Sequence, residues 1–403
     1  MRIGVLSIGS FDSFYSDYHL LRDVIAALLR RGHEVVLYQK QYLEQPAFPP
    51  EFKDYLLKTL TVRSFPFEKP AHENLKARYL ADLKYYWTAC REMKADNLDC
   101  FYLQSCNTAF LPVFYAKHFL KIPVFYNEQD LFPDNALLSG SLSSGSVVYR
   151  AAKALQKYAY RNASCLSTIS PDMRKRMAEN YGVDPDRIHV IGNWGHEELA
   201  AHTAQENAFL KAYPKADGEF RVVYAGNVGK MQNVELIVRT AAIMKNDAVT
   251  FYIVGDGANK PDLERFAADQ DLHHIRFLPM QPAETVSDLY SAADVNVIPL
   301  KPGIIQTALP SKLADCLIAG RPIVTCFDAD ALFCEEAARY GIPNVPPDDP
   351  QALRQTILDI RDSGYRGGNA AFLQANYRRD TNAGRYCDLI CGMTENEKRR
   401  SNE

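Results

Sequence analysis

The chain has 403 residues, 47% hydrophobic and 24% charged, with a formal net charge of −3, which excludes a disordered chain and gives no overall charge to draw nucleic acid. It is long enough to bury a large core in two or three domains. No run of about 18 apolar residues spans a bilayer, and nine cysteines without a CxxC pair speak for reduced thiols and against a metal site.

The N-terminus, MRIGVLSIGSFDSF, turns polar after a short apolar segment; this predicts a first β-strand, not a signal peptide, and a cytoplasmic protein. Ile3 to Ile8 reads as a strand, Leu20 to Arg31 as an amphipathic helix stopped by Gly32, and Glu34 to Tyr38 as a second strand, a βαβ unit. The pattern recurs. Further strands are expected at Cys100 to Gln104, Val124 to Asn127, Leu166 to Ser170 and Ile188 to Ile191. Helices are expected between them at Ala109 to Phe119, Val147 to Ala159 and Pro171 to Glu179. Such alternation predicts a parallel sheet with helices on both faces.

Between Trp194 and Gly218 the chain turns polar, which predicts a domain boundary. From Arg221 the alternation restarts, with strands at Val222 to Ala225, Phe251 to Val254, Ile275 to Leu278, Val295 to Leu300 and Ile323 to Phe327. After the glycine break at Gly364, Gly367 and Gly368, two last helices are expected to return to the first domain, ahead of a frayed charged tail from Glu395 to Glu403. The expected division is 1–200, 201–364 and 365–403, an α/β architecture of two doubly wound domains facing across a cleft. Ligands of such sheets sit beyond the C-terminal strand ends, so the cleft is the expected site.

Four stretches carry chemistry. In Leu309 to Val324, LPSKLADCLIAGRPIV, Pro310 suits a first helical position, and the N–H groups, hydroxyl and ammonium of Ser311 and Lys312 suit a phosphate; an ordinary capped helix explains the stretch as well. Asp315, one turn on, either accepts ribose hydroxyls or pairs with Lys312. Gly226 to Lys230, GNVGK, follows a strand, and its glycines let backbone N–H groups approach an oxyanion. It is not a Walker loop, because Tyr224 and Met231 stand where that pattern needs Gly and Ser or Thr. Gly255-Asp256-Gly257 ends another strand and falls on the same rim, although a structural turn explains it alone. In the first half, Glu128 and Asp130 follow a strand and are candidates for contact with an acceptor hydroxyl; Asp134 reads rather as a loop cap. Lys76 to Lys94 and Tyr149 to Arg161 interleave aromatic and basic residues, which suits an anionic membrane surface or a surface helix with core aromatics.

Together, AGNVGKMQN, VGDG, LPMQPAETVSDLYSAADVNVIPL and LPSKLADCLIAGRPIV resemble the C-terminal half of GT-B glycosyltransferases of the large retaining family 4, which uses nucleotide sugars. The nearest subgroup is the bacterial fucosamine-transferase-like enzymes of surface polysaccharide synthesis. EQDLFPDNALLSG, STISPDMRKRM and RIHVIGNW resemble segments of their first half. The resemblance implies a GT-B fold and puts Gly229 and Lys230 near the diphosphate, Ser311 and Lys312 on the phosphates and Asp315 on the ribose. The base falls near Gly255 and Met280, and Gly9 and Asn227 join the donor-binding residues. Three departures stand out. Thr307 replaces the first of two glutamates eight apart and Asp315 the second, Gln129 replaces a histidine, and Asn227 and Gln232 replace a basic pair.

The resemblance thus implies transfer of a sugar, an N-acetylhexosamine, from a UDP-sugar to a saccharide or polyprenyl-diphosphate-linked acceptor at the inner membrane face. Retention, no metal and no cofactor are expected. Lys230, Lys312, Asp130 and Glu128 are the expected catalytic groups. The alternatives are an epimerase on the same fold and a non-catalytic nucleotide-sugar-binding subunit.

Overall fold

Short apolar segments, buried along nearly their whole length, form two parallel sheets, as expected of strands covered on both faces. The computed structural model describes every residue except 8, 10–17, 42–48, 50–51, 57, 68–74, 197–204, 283–284, 366–368 and 403. Ile8, Gly367, Gly368 and Glu403 therefore lie outside the described residues. The chain divides into two units, Met1–Gly192 with Asp380–Glu403, and Asn193–Arg379.

In the first unit, strands β1 (Arg2–Leu6), β2 (Glu34–Gln41), β3 (Leu60–Pro66), β4 (Cys100–Gln104), β5 (Val124–Glu128), β6 (Cys165–Thr168) and β7 (Ile188–Val190) lie in the order β3-β2-β1-β4-β5-β6-β7. Every pairing is parallel. The edge strand β3 is absent from the expectation above, since its half-buried pattern carries Arg63 and Ser64 amid few apolar residues.

In the second unit, β8 (Phe220–Ala225), β9 (Val249–Val254), β10 (Ile275–Leu278), β11 (Val295–Pro299) and β12 (Ile323–Cys326) run in the order β10-β9-β8-β11-β12, again all parallel. Val222, Tyr224, Phe251, Ile253, Val295, Val297 and Val324 pack with helix residues Leu236, Ile237 and Leu353 into one core. Strand order reverses between β8 and β11, so this is the switch point, where loops leaving neighbouring strands diverge and open a crevice.

The boundaries differ from expectation in two ways. The units divide at Gly192–Asn193, earlier than residue 200. Helix Ala370–Asn376 stays with the second unit, Phe372 meeting the Phe333 ring edge-on and the Tyr340 ring at a tilt. What rejoins the first unit is residues 380–403. There Tyr386 Oη donates to Asn127 Oδ1 (3.1 Å) and Asn382 Nδ2 to the Gly192 carbonyl (2.8 Å). The charged end is helical, not frayed, through Asn402.

All nine cysteines are free thiols, seven of them buried. Among the described residues no helix is long and apolar enough to cross a membrane, and no cluster of His, Cys, Asp or Glu could hold a metal ion.

Candidate functional site

At the switch point of the second unit, the loops leaving β8 and β9 lie backbone against backbone. Gly226 N–H donates to the Val254 carbonyl (2.9 Å), Val228 N–H to Asp256 O (2.9 Å) and Asn259 N–H to Val228 O (3.0 Å). Gly226 and Gly255 have φ of +128° and +138°, and a Cβ on Gly255 would stand 2.0 Å from the Gly226 oxygen. Only glycine fits there. GNVGK and GDG thus form one surface. Lys260 ties β10 to it, donating to the carbonyls of Gly255 (2.8 Å) and Leu278 (3.2 Å) and to Asp256 Oδ1 (3.0 Å). No motif in the sequence marks this lysine. Met280 joins the rim through its N–H to Asp256 Oδ2 (3.3 Å), and its side chain is 55% exposed.

The stretch Leu309 to Val324 folds as a seven-residue helix, Lys312–Ile318, stopped by Gly320 at φ +67°. Pro310 lies before the helix, not in its first turn, and its carbonyl accepts the Leu313 N–H (3.1 Å). Two turns supply little dipole, so positive charge here rests mainly on the Lys312 side chain. Its ammonium sits 3.8 Å from the centroid of the Tyr224 ring and so close to Gly226 that a Cβ there would stand 2.8 Å from Nζ. Tyr224 is held by donating its hydroxyl to the Asn227 carbonyl (2.6 Å). Among the described residues no carboxylate pairs with Lys312; the ring face holds the cation. The ammonium end is enclosed although the residue is half-buried overall, and desolvation lowers its pKa to about 7.

Asp315 does not pair with Lys312. Its Oδ1 accepts the backbone N–H of His196 (3.0 Å) and faces His196 Nδ1 (3.3 Å). Asn227, Lys230 and Ser311 are exposed, and Gly229 is half-buried beside the side chains of Asn227 and Gln232. Thr307, where the resembling family has a carboxylate, is fully buried and donates to the Ile304 carbonyl (3.1 Å).

In the first unit Glu128 is 1% exposed. Ser105 Oγ (2.5 Å), Tyr126 Oη (2.6 Å), Tyr160 Oη (2.7 Å) and Gln156 Nε2 (2.7 Å) all donate to its carboxylate. Burial raises its pKa, and these donors oppose the rise. The expectation that Glu128 touches an acceptor is therefore corrected: its oxygens are occupied inside the core. Asp134 is also buried, bound by Tyr149 Oη (2.8 Å) and Arg176 Nε (2.9 Å). Asp130 is exposed. Gly9 is buried, its N–H donating to Ser7 Oγ (3.1 Å) and its carbonyl accepting from Lys40 N–H (3.2 Å).

On this unit, helices Leu75–Met93, Phe110–Tyr115 with its wide turn Ala116–Leu120, and Val147–Asn162 pack side by side. Tyr85, Tyr86, Tyr149 and Tyr160 are core residues, so the surface-helix reading holds for these aromatics. Yet Trp87, Phe114 and Phe119 are 46%, 39% and 58% exposed, linked by ring contacts through Tyr115. On these helices and the residues that end them, Lys84, Arg91, Lys94, Lys117, Lys121, Arg150 and Arg161 are exposed, as is the acid Glu92.

Comparison with known proteins bears on the family and the fold. Residues 20–194 match the family described as "Glycosyl transferase 4-like domain" and residues 219–363 "Glycosyl transferases group 1". The chain is 29% identical over 252 residues to WbjE of Pseudomonas aeruginosa, named as a glycosyltransferase, covering 62% of this chain and 63% of that one. It is 28% identical over 223 residues to WcaI of Escherichia coli (strain K12), named as a colanic acid biosynthesis glycosyl transferase, covering 53% and 54%. These matches thus span less than two thirds of either relative. The fold is that of HepE of Anabaena, solved with UDP and glucose (TM-score 0.70, 16% identity, 97% and 99% covered). Sucrose-phosphate synthase of Thermosynechococcus elongatus is similar too (TM-score 0.72, 15% identity, 98% and 99% covered). The architecture is GT-B, and the domain matches support a transferase.

Proposed function

We propose that this chain, whose two halves match glycosyl transferase domains, moves a sugar, an N-acetylhexosamine, from a UDP-sugar to a saccharide or polyprenyl-diphosphate-linked acceptor in surface polysaccharide synthesis. The observation that carries the reading is the Lys312 ammonium. It is enclosed against the Tyr224 ring and Gly226 with no carboxylate partner among the described residues, beside loops that fit an oxyanion. A diphosphate supplies the missing negative charge.

In this reading Ser311, Lys312, Lys230, Asn227 and Gly229 hold the diphosphate, Asp315 the ribose, and Gly255 and Met280 the base. As the glycosidic bond breaks, negative charge grows on the leaving phosphate, and a cation already in position stabilises that state more than the ground state. The two lysines supply this charge without a metal. Asp130 orients the acceptor hydroxyl. Retention of configuration is taken from the resemblance; the acceptor then attacks the face the leaving group departs from, a course that needs no protein nucleophile and fits Gln129 in place of a histidine. UDP release from UDP-sugars is measured with and without membrane lipid extract, in EDTA. Release that needs extract supports the transferase; isomerised sugar without release, or binding without turnover, replaces it with the epimerase or the silent subunit.

Lipid-linked acceptors lie at a membrane, and the aromatic and basic face of the first unit suits an anionic one: rings favour the interface and lysines the headgroups. Peripheral contact at the inner face of a membrane is part of the same proposal, and flotation with vesicles tests it.

A further inference from the structure

Gly195 and His196 lie against the helix that carries Lys312 and Asp315. A Cβ on Gly195 would stand 2.5 Å from Asp315 Oδ1, 2.8 Å from Ile318 Cδ1 and 3.0 Å from the Asp315 nitrogen. Gly195 does not have the positive φ of the loop glycines. Its lack of a side chain therefore answers to this close approach alone. The contact lets His196 deliver its backbone N–H to Oδ1 at 3.0 Å, with Nδ1 at 3.3 Å from the same oxygen. The other oxygen, Oδ2, has no hydrogen bond among the described residues. One oxygen of this half-buried carboxylate is held, and the other has no partner among the described residues.

We propose that Gly195 and His196 are positioning residues for the nucleotide sugar, holding Asp315 by Oδ1 so that Oδ2 meets a ribose hydroxyl without further ordering. This rests on the reading that Asp315 takes the ribose. A free aspartate loses rotamer freedom on binding, and one already pinned does not, so the pin contributes affinity without touching the ligand. The contribution is confined to ligands with a ribose. Pyrophosphate, which engages the diphosphate-binding residues and has no ribose, does not register it.

Titration calorimetry with UDP and with inorganic pyrophosphate, on Gly195→Ala, His196→Ala, Asp315→Ala and the double variant Gly195→Ala/Asp315→Ala, tests this. His196→Ala alters a half-exposed side chain and guards against misfolding of the glycine variant. The expected result is UDP binding weakened about tenfold by Gly195→Ala and a few-fold by His196→Ala, in the range of couplings between touching residues, with pyrophosphate binding unchanged. The double variant should bind UDP no more weakly than Asp315→Ala. Additive losses, or equal losses for UDP and pyrophosphate, overturn the positioning role while leaving the ribose contact standing. If Asp315→Ala itself binds UDP normally, the ribose reading falls, and the positioning role with it.

Discussion

The Lys312 ammonium nitrogen lies 3.8 Å from the centroid of the Tyr224 ring, and desolvation there lowers its pKa from 10.5 to about 7. The Tyr224 hydroxyl and the Cys316 thiol are its titratable neighbours, and burial raises the pKa of both. A bound diphosphate favours the charged amine, so binding takes up a proton once the pH exceeds about 7. UDP affinity should fall as pH rises from 7 to 9, by at most about tenfold per unit. The terminal phosphate titrates near about 6 and stays ionised over this window. Calorimetry in buffers of different ionisation enthalpy reads the proton uptake; a flat affinity would show that Lys312 does not meet the diphosphate.

The same lysine costs stability. Between about 7 and 10.5 the unfolded chain holds a proton that the folded chain has released, so the cost is full below pH 7 and fades towards 10.5. Lys312→Met should therefore raise the melting temperature at pH 6 to 7, by roughly 2–4 °C. The gain should shrink as the pH nears 10. Turnover of the UDP-sugar should fall by about 100-fold or more. A variant that is both inactive and less stable would mean the site tolerates the cation better than its burial implies.

Glu128 and Asp130 should separate cleanly. Glu128→Ala leaves the Ser105, Tyr126, Tyr160 and Gln156 donors facing an empty core, a loss of about 3–5 kcal/mol in denaturant unfolding. Asp130→Asn, at an exposed position, should change stability by less than about 0.5 kcal/mol yet slow acceptor-dependent turnover about tenfold to 100-fold. Equal stability losses would contradict their different burial.

Gly255→Ala places a methyl 2.0 Å from the Gly226 oxygen at φ +138°. The two loops must part, at more than about 3 kcal/mol, and UDP binding should disappear. Gly320→Ala is the control: φ is +67° but nothing lies within 4 Å, so only the backbone term of about 1 kcal/mol applies and binding should persist.

Trp87→Ser with Phe119→Ser should abolish flotation with anionic vesicles while leaving UDP binding intact. Flotation of the parent should weaken at about 1 M salt, where the screening length is roughly 3 Å. Undiminished flotation of the double variant would assign membrane contact to another surface.

Legibility in the sequence followed how locally each feature is encoded. Eleven of the twelve strands are legible because buried parallel strands are apolar, whereas the edge strand β3 is not, being only partly buried; the glycine turns after β8 and β9 are legible because they end apolar runs. Lys312 was visible beside Pro310 and Ser311, but the enclosure that shifts its pKa comes from Tyr224, far away in the chain. The burial of Glu128 is hidden from the sequence for a related reason. A carboxylate at a strand end looks the same whether it faces solvent or the core, and its partner Tyr160 lies on a helix 32 residues later. Lys260 and Gly195 had no local signature, since each is defined by a contact across the fold.

The return of residues 380–403 to the first unit bears on how the protein is made. The second unit, Asn193–Arg379, is one unbroken stretch and has all its residues as soon as Arg379 has been synthesised. The first, begun earlier, lacks Tyr386 and Asn382 until the ribosome reaches them. Completion therefore runs opposite to synthesis. A chain cut short at residue 379 would carry a complete second unit together with a first unit whose apolar surface is bared where Tyr386 packs, a state exposed to aggregation and degradation.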